Sequence, residues 1–112
     1  MIEISCTEHN DVIVMNMNGE FYIESLEYAE QVWNSMIVKK PRAIGLNCKN
    51  ITFIDSSAIG ILVKFLNNAM KVKTELIFFD LSDALIDIFK VAKLGNFFKT
   101  MSRTQFEVTY IE

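Results

Sequence analysis

Three side chains with reactive or hydrogen-bonding groups stand together in the middle of the chain, at Asp55, Ser56 and Ser57. A serine hydroxyl can accept a phosphoryl group, and hydroxyl and carboxylate oxygens can accept backbone N–H groups. Asp and Ser are also common helix caps, because their oxygens accept the unpaired N–H groups of the first turn. The three residues therefore predict a helix start that presents two hydroxyls at its positive end, where an anion is favoured.

The residue types do not match an enzyme active site. The only histidine, His9, falls in a predicted turn, and nothing in the sequence brings it next to Ser56, as a Ser–His–Asp triad requires. There is no Gly-x-Ser-x-Gly motif and no glycine-rich phosphate loop. Cys6, Cys48 and His9 do not have the spacing of a zinc site. We therefore expect a protein that is not an enzyme, with no catalytic residue, no metal and no cofactor.

The elements on either side of the three residues are predicted from hydrophobic periodicity. The stretch from Ala43 to Cys48 is short and almost wholly apolar, which is typical of a central strand covered on both faces. A helix is predicted from about Ser57 to Lys71, because apolar residues recur there at three- and four-residue steps. This apolar stripe consists of Ile59, Leu62, Val63, Leu66, Ala69 and Met70, and we expect the helix to pack through Ile59, Leu62, Val63 and Leu66.

Strands and helices alternate along the rest of the chain. The predicted strands are 2–7, 12–18, 43–48, 75–79 and 97–101, and the other predicted helices are 24–37 and 83–93, the last one stopped by Gly95. Residues 105–112 fit either a strand or a short helix. The first two strands are predicted to form an antiparallel hairpin. The order predicts the α/β class: one domain over residues 1–112, with a mixed four- or five-stranded sheet and packed helices.

Composition narrows the class of protein further. With 112 residues, 51% of them hydrophobic and 22% charged, the chain has the size and composition of one globular domain. Its net charge of -3 and lack of a basic cluster argue against a nucleic-acid surface. The start has no signal-peptide pattern and the apolar runs are too short to span a bilayer, so we expect a cytoplasmic protein without membrane insertion. Cys6 and Cys48 are expected to be buried free thiols, with a disulfide as the alternative.

Residues 53–62, Phe-Ile-Asp-Ser-Ser-Ala-Ile-Gly-Ile-Leu, resemble the signature loop of the STAS family, the anti-sigma factor antagonists. That signature reads approximately aromatic-x-Asp-Ser-Ser/Ala-Gly-Leu-Gly-x-Leu. The predicted order of elements is also that of a STAS domain, so the resemblance covers almost the whole chain. In the family, a partner kinase phosphorylates the serine that follows the aspartate. The resemblance therefore implies phosphorylation at Ser56, with Ser57 as the alternative.

The resemblance also implies partners and a partner surface. The unphosphorylated protein would bind an anti-sigma factor serine kinase through Asp55, Ser56, Ser57, Ala58 and Tyr22. Phosphorylation would end that binding, and a PP2C-type phosphatase would restore it. The alternative is a STAS scaffold subunit of a signalling or lipid-transport assembly, in which the serine need not be modified. The resemblance leaves the oligomeric state open.

Two positions in the partner surface depart from the family pattern. Ala58 replaces the first glycine of the signature, and Tyr22 stands where many relatives carry an acidic or small polar residue. The C-terminal region is also short for the last helix that is usual in relatives. We expect these departures to affect partner contacts more than the fold.

Overall fold

A five-stranded mixed sheet runs through the centre of the molecule, in the order β1-β2-β3-β4-β5. The structure is a computed structural model and describes residues 2–112. The strands are β1 (Glu3–His9), β2 (Val12–Phe21), β3 (Ala43–Ile54), β4 (Glu75–Phe79) and β5 (Lys99–Met101). The helices are α1 (Leu26–Ile37), α2 (Ser56–Lys71), α3 (Asp83–Val91) and the short α4 (Arg103–Phe106). The prediction of an α/β fold with a mixed sheet is confirmed.

The pairing of the strands decides where the connecting loops lie. β1 and β2 form the predicted antiparallel hairpin, whereas β2, β3, β4 and β5 pair in parallel. Parallel strands end at the same edge of a sheet, so the loops after β2, β3 and β4 lie side by side. These loops contain Tyr22, Asp55 and Ser82. Below, this edge is called the carboxyl edge.

The two central strands are longer than their apolar cores predict. We expected β2 to end at Asn18 and β3 at Cys48, but they continue to Phe21 and Ile54. Register shifts next to Asn18 and Gly19 keep the two strands paired through this polar stretch. Gly19 has a φ of 111°, a left-handed conformation that favours glycine. The extension brings Phe21 opposite Ile54 and so places the two following loops together.

Helices cover the two faces of the sheet unequally. α1, α2 and α3 cover one face, where Trp33 of α1 stacks on Phe65 of α2 with 4.4 Å between ring centroids. The C-terminal segment covers part of the other face through Phe106 and Tyr110. Of the two structures that the sequence allowed for the tail, the helical one is observed: α4 is followed by a π-helical turn at Glu107–Ile111. This close packing depends on Gly45, because a Cβ atom there would overlap the ring of Phe106.

The buried face of α2 is rotated from the predicted one. Leu62 and Ala69 are buried as expected, but Met70 is 66% exposed. The residues that face the core are Ala58, Ile61, Leu62, Phe65 and Ala69. Ile59, Val63 and Leu66 are only partly buried and pack at its margin. The stripe was misplaced because nearly every position in residues 58–66 is apolar, so periodicity alone fits more than one face.

Several helix ends differ from the predicted ones by a few residues. α1 begins at Leu26, two residues after the predicted start, behind a 3-10 turn at Ile23–Ser25. α2 begins at Ser56 rather than Ser57. α3 ends at Val91, and Lys93, not Gly95, adopts the left-handed conformation that follows a helix, with a φ of 60°. Within residues 2–112, no helix is both long enough and apolar enough to cross a membrane.

The two cysteines differ in exposure, contrary to the prediction that both are buried. Both are free thiols; Cys48 is buried in β3, whereas Cys6 on the edge strand β1 is exposed. Burial raises the pKa of the Cys48 thiol to about 12, so it stays protonated and inert near neutral pH. Cys6 lies on the edge strand of the sheet. Alternation of apolar residues predicts which face of such a strand a side chain is on, but not whether a helix covers that face.

The rotated face of α2 leads to a test with two variants of the same helix. Leu62→Asp forces a charge into the core at a side chain that is 3% exposed and should lower the free energy of unfolding by at least about 3 kcal/mol. Met70→Asp places the same charge on the solvent side and should cost less than about 1 kcal/mol. Chemical denaturation of both variants measures the difference. Equal losses would show that the orientation of α2 is wrong.

Candidate functional site

Ser56 is the first residue of α2 and its side chain is exposed, whereas Ser57 is partly buried. The cap of this helix is Asp55, not either serine. Asp55 has an extended backbone (φ -110°, ψ 176°), and its Oδ1 atom accepts the N–H of Ala58 at 2.9 Å. Its backbone carbonyl accepts the N–H of Ile59 at 3.1 Å, which begins the helix ladder. The Ser56 hydroxyl is therefore presented at the helix start without being needed to cap it.

Asp55 makes a second connection that joins two helical segments. Its Oδ2 atom accepts the backbone N–H of Ile23 at 3.1 Å. Ile23 is the first residue of the 3-10 turn that leads into α1. The backbone N–H of Asp55 donates to the carbonyl of Phe21 at 3.3 Å. One carboxylate thus accepts N–H groups from the starts of two helical segments, each of which carries partial positive charge.

This arrangement leaves room for an anion on Ser56. Asp55 takes the N–H of Ala58, and helix geometry leaves the N–H groups of Ser56 and Ser57 without partners inside the helix. A phosphate on Ser56 could accept these groups, and the positive end of α2 would favour its charge. The Asp55 carboxylate opposes this by like-charge repulsion. The site can therefore carry a phosphate while its fold is retained.

Two exposed apolar residues belong to the segments that meet at Asp55. Ile23 is 63% exposed and Phe53, at the end of β3, is 51% exposed. At Gly60, one turn into α2, an added Cβ would meet no atom within 4 Å, so this part of the helix is open. Phe53 also borders a groove of about 280 Å³ between the end of β3 and the start of α3. The exposed residues on the β2–α1 loop, at the end of β3 and at the start of α2 are called here the Ser56 surface: Ile23, Phe53, Ser56 and Gly60.

Ala58 and Tyr22, the other residues predicted for the partner surface, lie in different environments. Ala58 is fully buried, so its methyl group faces the core and not the Ser56 surface. Tyr22 lies directly before Ile23 in the neighbouring loop, and its hydroxyl donates to the Glu24 carboxylate at 3.0 Å. That hydrogen bond to a carboxylate raises the pKa of Tyr22. Tyr22, Asp55 and Ser56 therefore share the carboxyl edge, whereas the side chain of Ala58 packs in the core.

His9 lies far from Ser56. It pairs with Val12 at the start of β2, whereas Ser56 follows the far end of β3. The ten residues of β2 separate these two ends, which corresponds to roughly 30 Å along the strand. The structure therefore does not bring the histidine and the serine together.

The sequence analysis did not assign Ile23 or Phe53 to the partner surface. Phe53 is the aromatic position of the signature and Ile23 follows Phe21 and Tyr22, so neither pattern marks its residue as exposed. An apolar residue at the end of a strand is more often buried, and only the positions of the strand ends show that these two are not.

Comparison with known proteins identifies the family of the chain. A family model described as the STAS domain matches residues 3–106. Since this match covers most of the chain, the protein belongs to the STAS family. A search of the curated proteins finds no match.

Several solved structures share the fold at low sequence identity. An anti-sigma factor antagonist from Mycobacterium paratuberculosis matches with a TM-score of 0.87 and 18% identity, over 99% of this chain and 94% of that one. The phosphorylated form of the Bacillus cell fate determinant SpoIIAA matches with a TM-score of 0.72 and 19% identity, over 97% and 96%. A sulfate transporter family protein from Wolinella succinogenes matches with a TM-score of 0.70 and 20% identity, over 85% and 80%. These likenesses show the fold.

The double role of Asp55 predicts graded effects of two substitutions. Asp55→Ala removes both acceptors and should lower the free energy of unfolding by about 2 to 4 kcal/mol. Asp55→Asn keeps one oxygen for Ala58 but turns an amide donor toward the N–H of Ile23, so it should cost about 1 to 2 kcal/mol. Chemical denaturation measures both losses, and hydrogen exchange in Asp55→Asn should rise at the Ile23 amide more than at that of Ala58.

Ser82→Ala is the matched control, because Ser82 caps only α3, through the N–H of Leu85 at 3.2 Å. It should cost about 1 kcal/mol. If Asp55→Ala costs no more than Ser82→Ala, Asp55 acts as an ordinary single cap.

Proposed function

We propose that this protein is a cytoplasmic anti-sigma factor antagonist that switches partners when Ser56 is phosphorylated. In its unphosphorylated form it binds an anti-sigma factor serine kinase, and the sigma factor held by that kinase is released. The kinase phosphorylates Ser56 and thereby ends the binding, and a PP2C-type phosphatase restores it. In this role the protein is a regulator and not an enzyme.

The observation that carries the proposal is the exposed Ser56 hydroxyl at the start of α2, within the STAS signature. A kinase needs access to the hydroxyl, and a substrate hydroxyl that held the helix together would be costly to modify. Here Asp55 caps the helix and leaves Ser56 accessible. The similar fold of SpoIIAA, whose structure is known in a phosphorylated form, is consistent with the proposal.

The Ser56 surface gives a physical reason for the switch. Ile23 and Phe53, in the segments that meet at Asp55, expose apolar area, which favours contact with an apolar patch on a partner. A phosphate adds about -1.5 to -2 charges and three acceptor oxygens at pH 7. A partner that packed against the bare hydroxyl would then have to desolvate this charge. The loss of affinity arises at the interface, so the fold of the antagonist need not change.

The second candidate function is a scaffold subunit that is not phosphorylated. The observation in its favour is the similarity to a protein of the sulfate transporter family, which shows that the fold is not limited to antagonists. In a scaffold, the Ser56 surface would form a permanent contact and its hydroxyl would not be modified. Dependence of binding on the charge at Ser56 distinguishes the two functions.

The choice between the two serines can be tested directly. We expect the cognate kinase to modify Ser56, because its side chain is exposed while that of Ser57 is partly buried. Mass spectrometry of peptides after incubation with kinase and ATP locates the phosphate. Ser57→Ala should still be phosphorylated and Ser56→Ala should not. Modification of Ser57 alone would overturn the assignment.

Calorimetry against the candidate kinase tests the switch. Ser56→Ala should retain the affinity of the wild type, whereas the phosphorylated protein should bind at least about a hundredfold more weakly, a loss of about 2.7 kcal/mol. Ser56→Asp should weaken binding less, because one carboxylate carries less charge than a phosphate. Asn67→Asp, at an exposed position farther along α2, is the control for added charge and should bind normally. Equal affinities for all forms would leave the scaffold function.

A further inference from the structure

The ends of α1, α2 and α3 lie together at the edge of the sheet where the parallel strands begin, called here the amino edge. Each of these helices connects two parallel strands and therefore runs back across the sheet to this edge. Side-chain contacts join the loops that follow the helices. The Thr74 hydroxyl donates to the carbonyl of Pro41 at 2.7 Å, and the Lys99 amino group lies 3.5 Å from the Glu75 carboxylate. The three helix ends thus form one end of the molecule.

A lysine in the left-handed conformation follows each of the three helices. Lys40, Lys73 and Lys93 have φ values of 49°, 62° and 60°, and the N–H of each donates to a carbonyl of the preceding turn at 3.0 to 3.2 Å. Glycine or asparagine is the usual residue at such a position, because a Cβ atom makes the left-handed conformation costly. Backbone conformations of this kind occur preferentially at functional sites. Their repeated use for lysine indicates that positive charge is needed at this edge.

Two more lysines, Lys71 and Lys90, stand in the last turns of α2 and α3. All five lysines are exposed, and within residues 2–112 no ion pair includes any of them. Three acidic side chains at this edge are paired with other basic residues: Glu8 with Lys39, Asp11 with Arg42 and Glu75 with Lys99. Glu112, two residues after the Tyr110 side chain that Lys99 contacts, adds one negative charge. The five lysines therefore leave an excess of positive charge, which the sequence divides among three separate segments.

The four most exposed large apolar residues of the part of the chain that the structure describes lie at the same edge. They are Val38 after α1, Met70 in the last turn of α2, Val91 at the end of α3 and Phe97 before β5, and they are 66% to 84% exposed. The helix dipole favours lysine at a helix C-terminus but does not account for exposed apolar side chains. Lysines that alternate with exposed apolar residues are typical of surfaces that bind the interface of an anionic membrane.

We propose that the amino edge docks on an anionic lipid bilayer, with the lysines against lipid phosphates and the apolar side chains among the headgroups. A protein partner fits this surface less well, because protein interfaces are depleted in lysine and enriched in arginine. A nucleic acid would pair with the lysines but would leave Val38, Met70, Val91 and Phe97 exposed. Docking of this kind needs no membrane-spanning helix.

The net charge of -3 does not prevent such docking, because the acidic residues are concentrated elsewhere. Glu24, Asp55 and Asp83 lie at the carboxyl edge, at the starts of the helical segments. The ten residues of β2 separate the two edges by roughly 30 Å, several times the screening length of about 8 Å at physiological salt. A docked protein would present the Ser56 surface away from the lipid. The inference does not rest on the proposed function, because it concerns the opposite edge.

The test is cosedimentation of the full chain with vesicles of phosphatidylcholine and phosphatidylglycerol, mixed about two to one. We expect partition at least about tenfold stronger than into pure phosphatidylcholine, and loss of the difference at high salt. Lys73→Gln/Lys93→Gln should weaken partition about 25-fold, since each lysine near an anionic surface contributes about fivefold. Lys49→Gln/Lys64→Gln is the matched control, because it removes the same charge from exposed positions in the middle of β3 and α2. It should partition as the wild type does.

A second pair of variants tests the apolar contact. Val91→Ser should weaken partition about fivefold, whereas Val108→Ser, at an exposed valine in the C-terminal tail, should not change it. Equal partition into both kinds of vesicle, or equal losses in the two lysine variants, would overturn the proposal. Binding to soluble polyglutamate or to a DNA duplex as tight as to the anionic vesicles, with Val91→Ser unchanged, would also overturn it and assign the edge to a soluble polyanion. The vesicle assay uses no kinase, so its failure would leave the proposed function unaffected.

Discussion

The structure of the carboxyl edge depends on the Asp55 carboxylate and its two hydrogen bonds. One oxygen caps α2 and the other accepts the first N–H of the 3-10 turn before α1. These two N–H groups belong to residues far apart in sequence, so the bonds join the β2–α1 loop to the β3–α2 loop. A carboxylate suits this position because it is acceptor-only and can satisfy donors from two directions. The placement of Ile23 and Ser56 follows from this connection.

Much of the fold could be predicted from the sequence because local patterns agree with it. The alternation of strands and helices and the tight turn after β1 give the α/β class and the hairpin. Strand lengths could not be predicted, since residues 47–53 are mostly polar or mixed and yet remain paired with β2 through irregular register. The face of α2 could not be predicted either, because its first three turns are apolar on most sides. Long-range packing decides both features.

The candidate site was predictable in part, for a related reason. The helix start and its capping residues follow from residue types and depend only on local chemistry. The bond from Asp55 to Ile23 spans 32 positions and depends on the register of β2 against β3, which the sequence pattern does not specify. The exposure of Ile23 and Phe53 depends on the same register. Sequence patterns therefore located Asp55 and Ser56 but not the surface around them.

The distribution of charge along the carboxyl edge limits what a phosphate on Ser56 would do. Ile23 and Phe53 are exposed and apolar, while Glu24, next to Ile23, is an exposed carboxylate. A phosphate on Ser56 would change the net charge of the chain from -3 to about -5. The carboxyl edge would then carry negative charge both at Glu24 and at the start of α2. The largest change caused by such a phosphate would therefore be in surface charge and not in packing, because Asp55 already supplies the bonds that hold the two loops together.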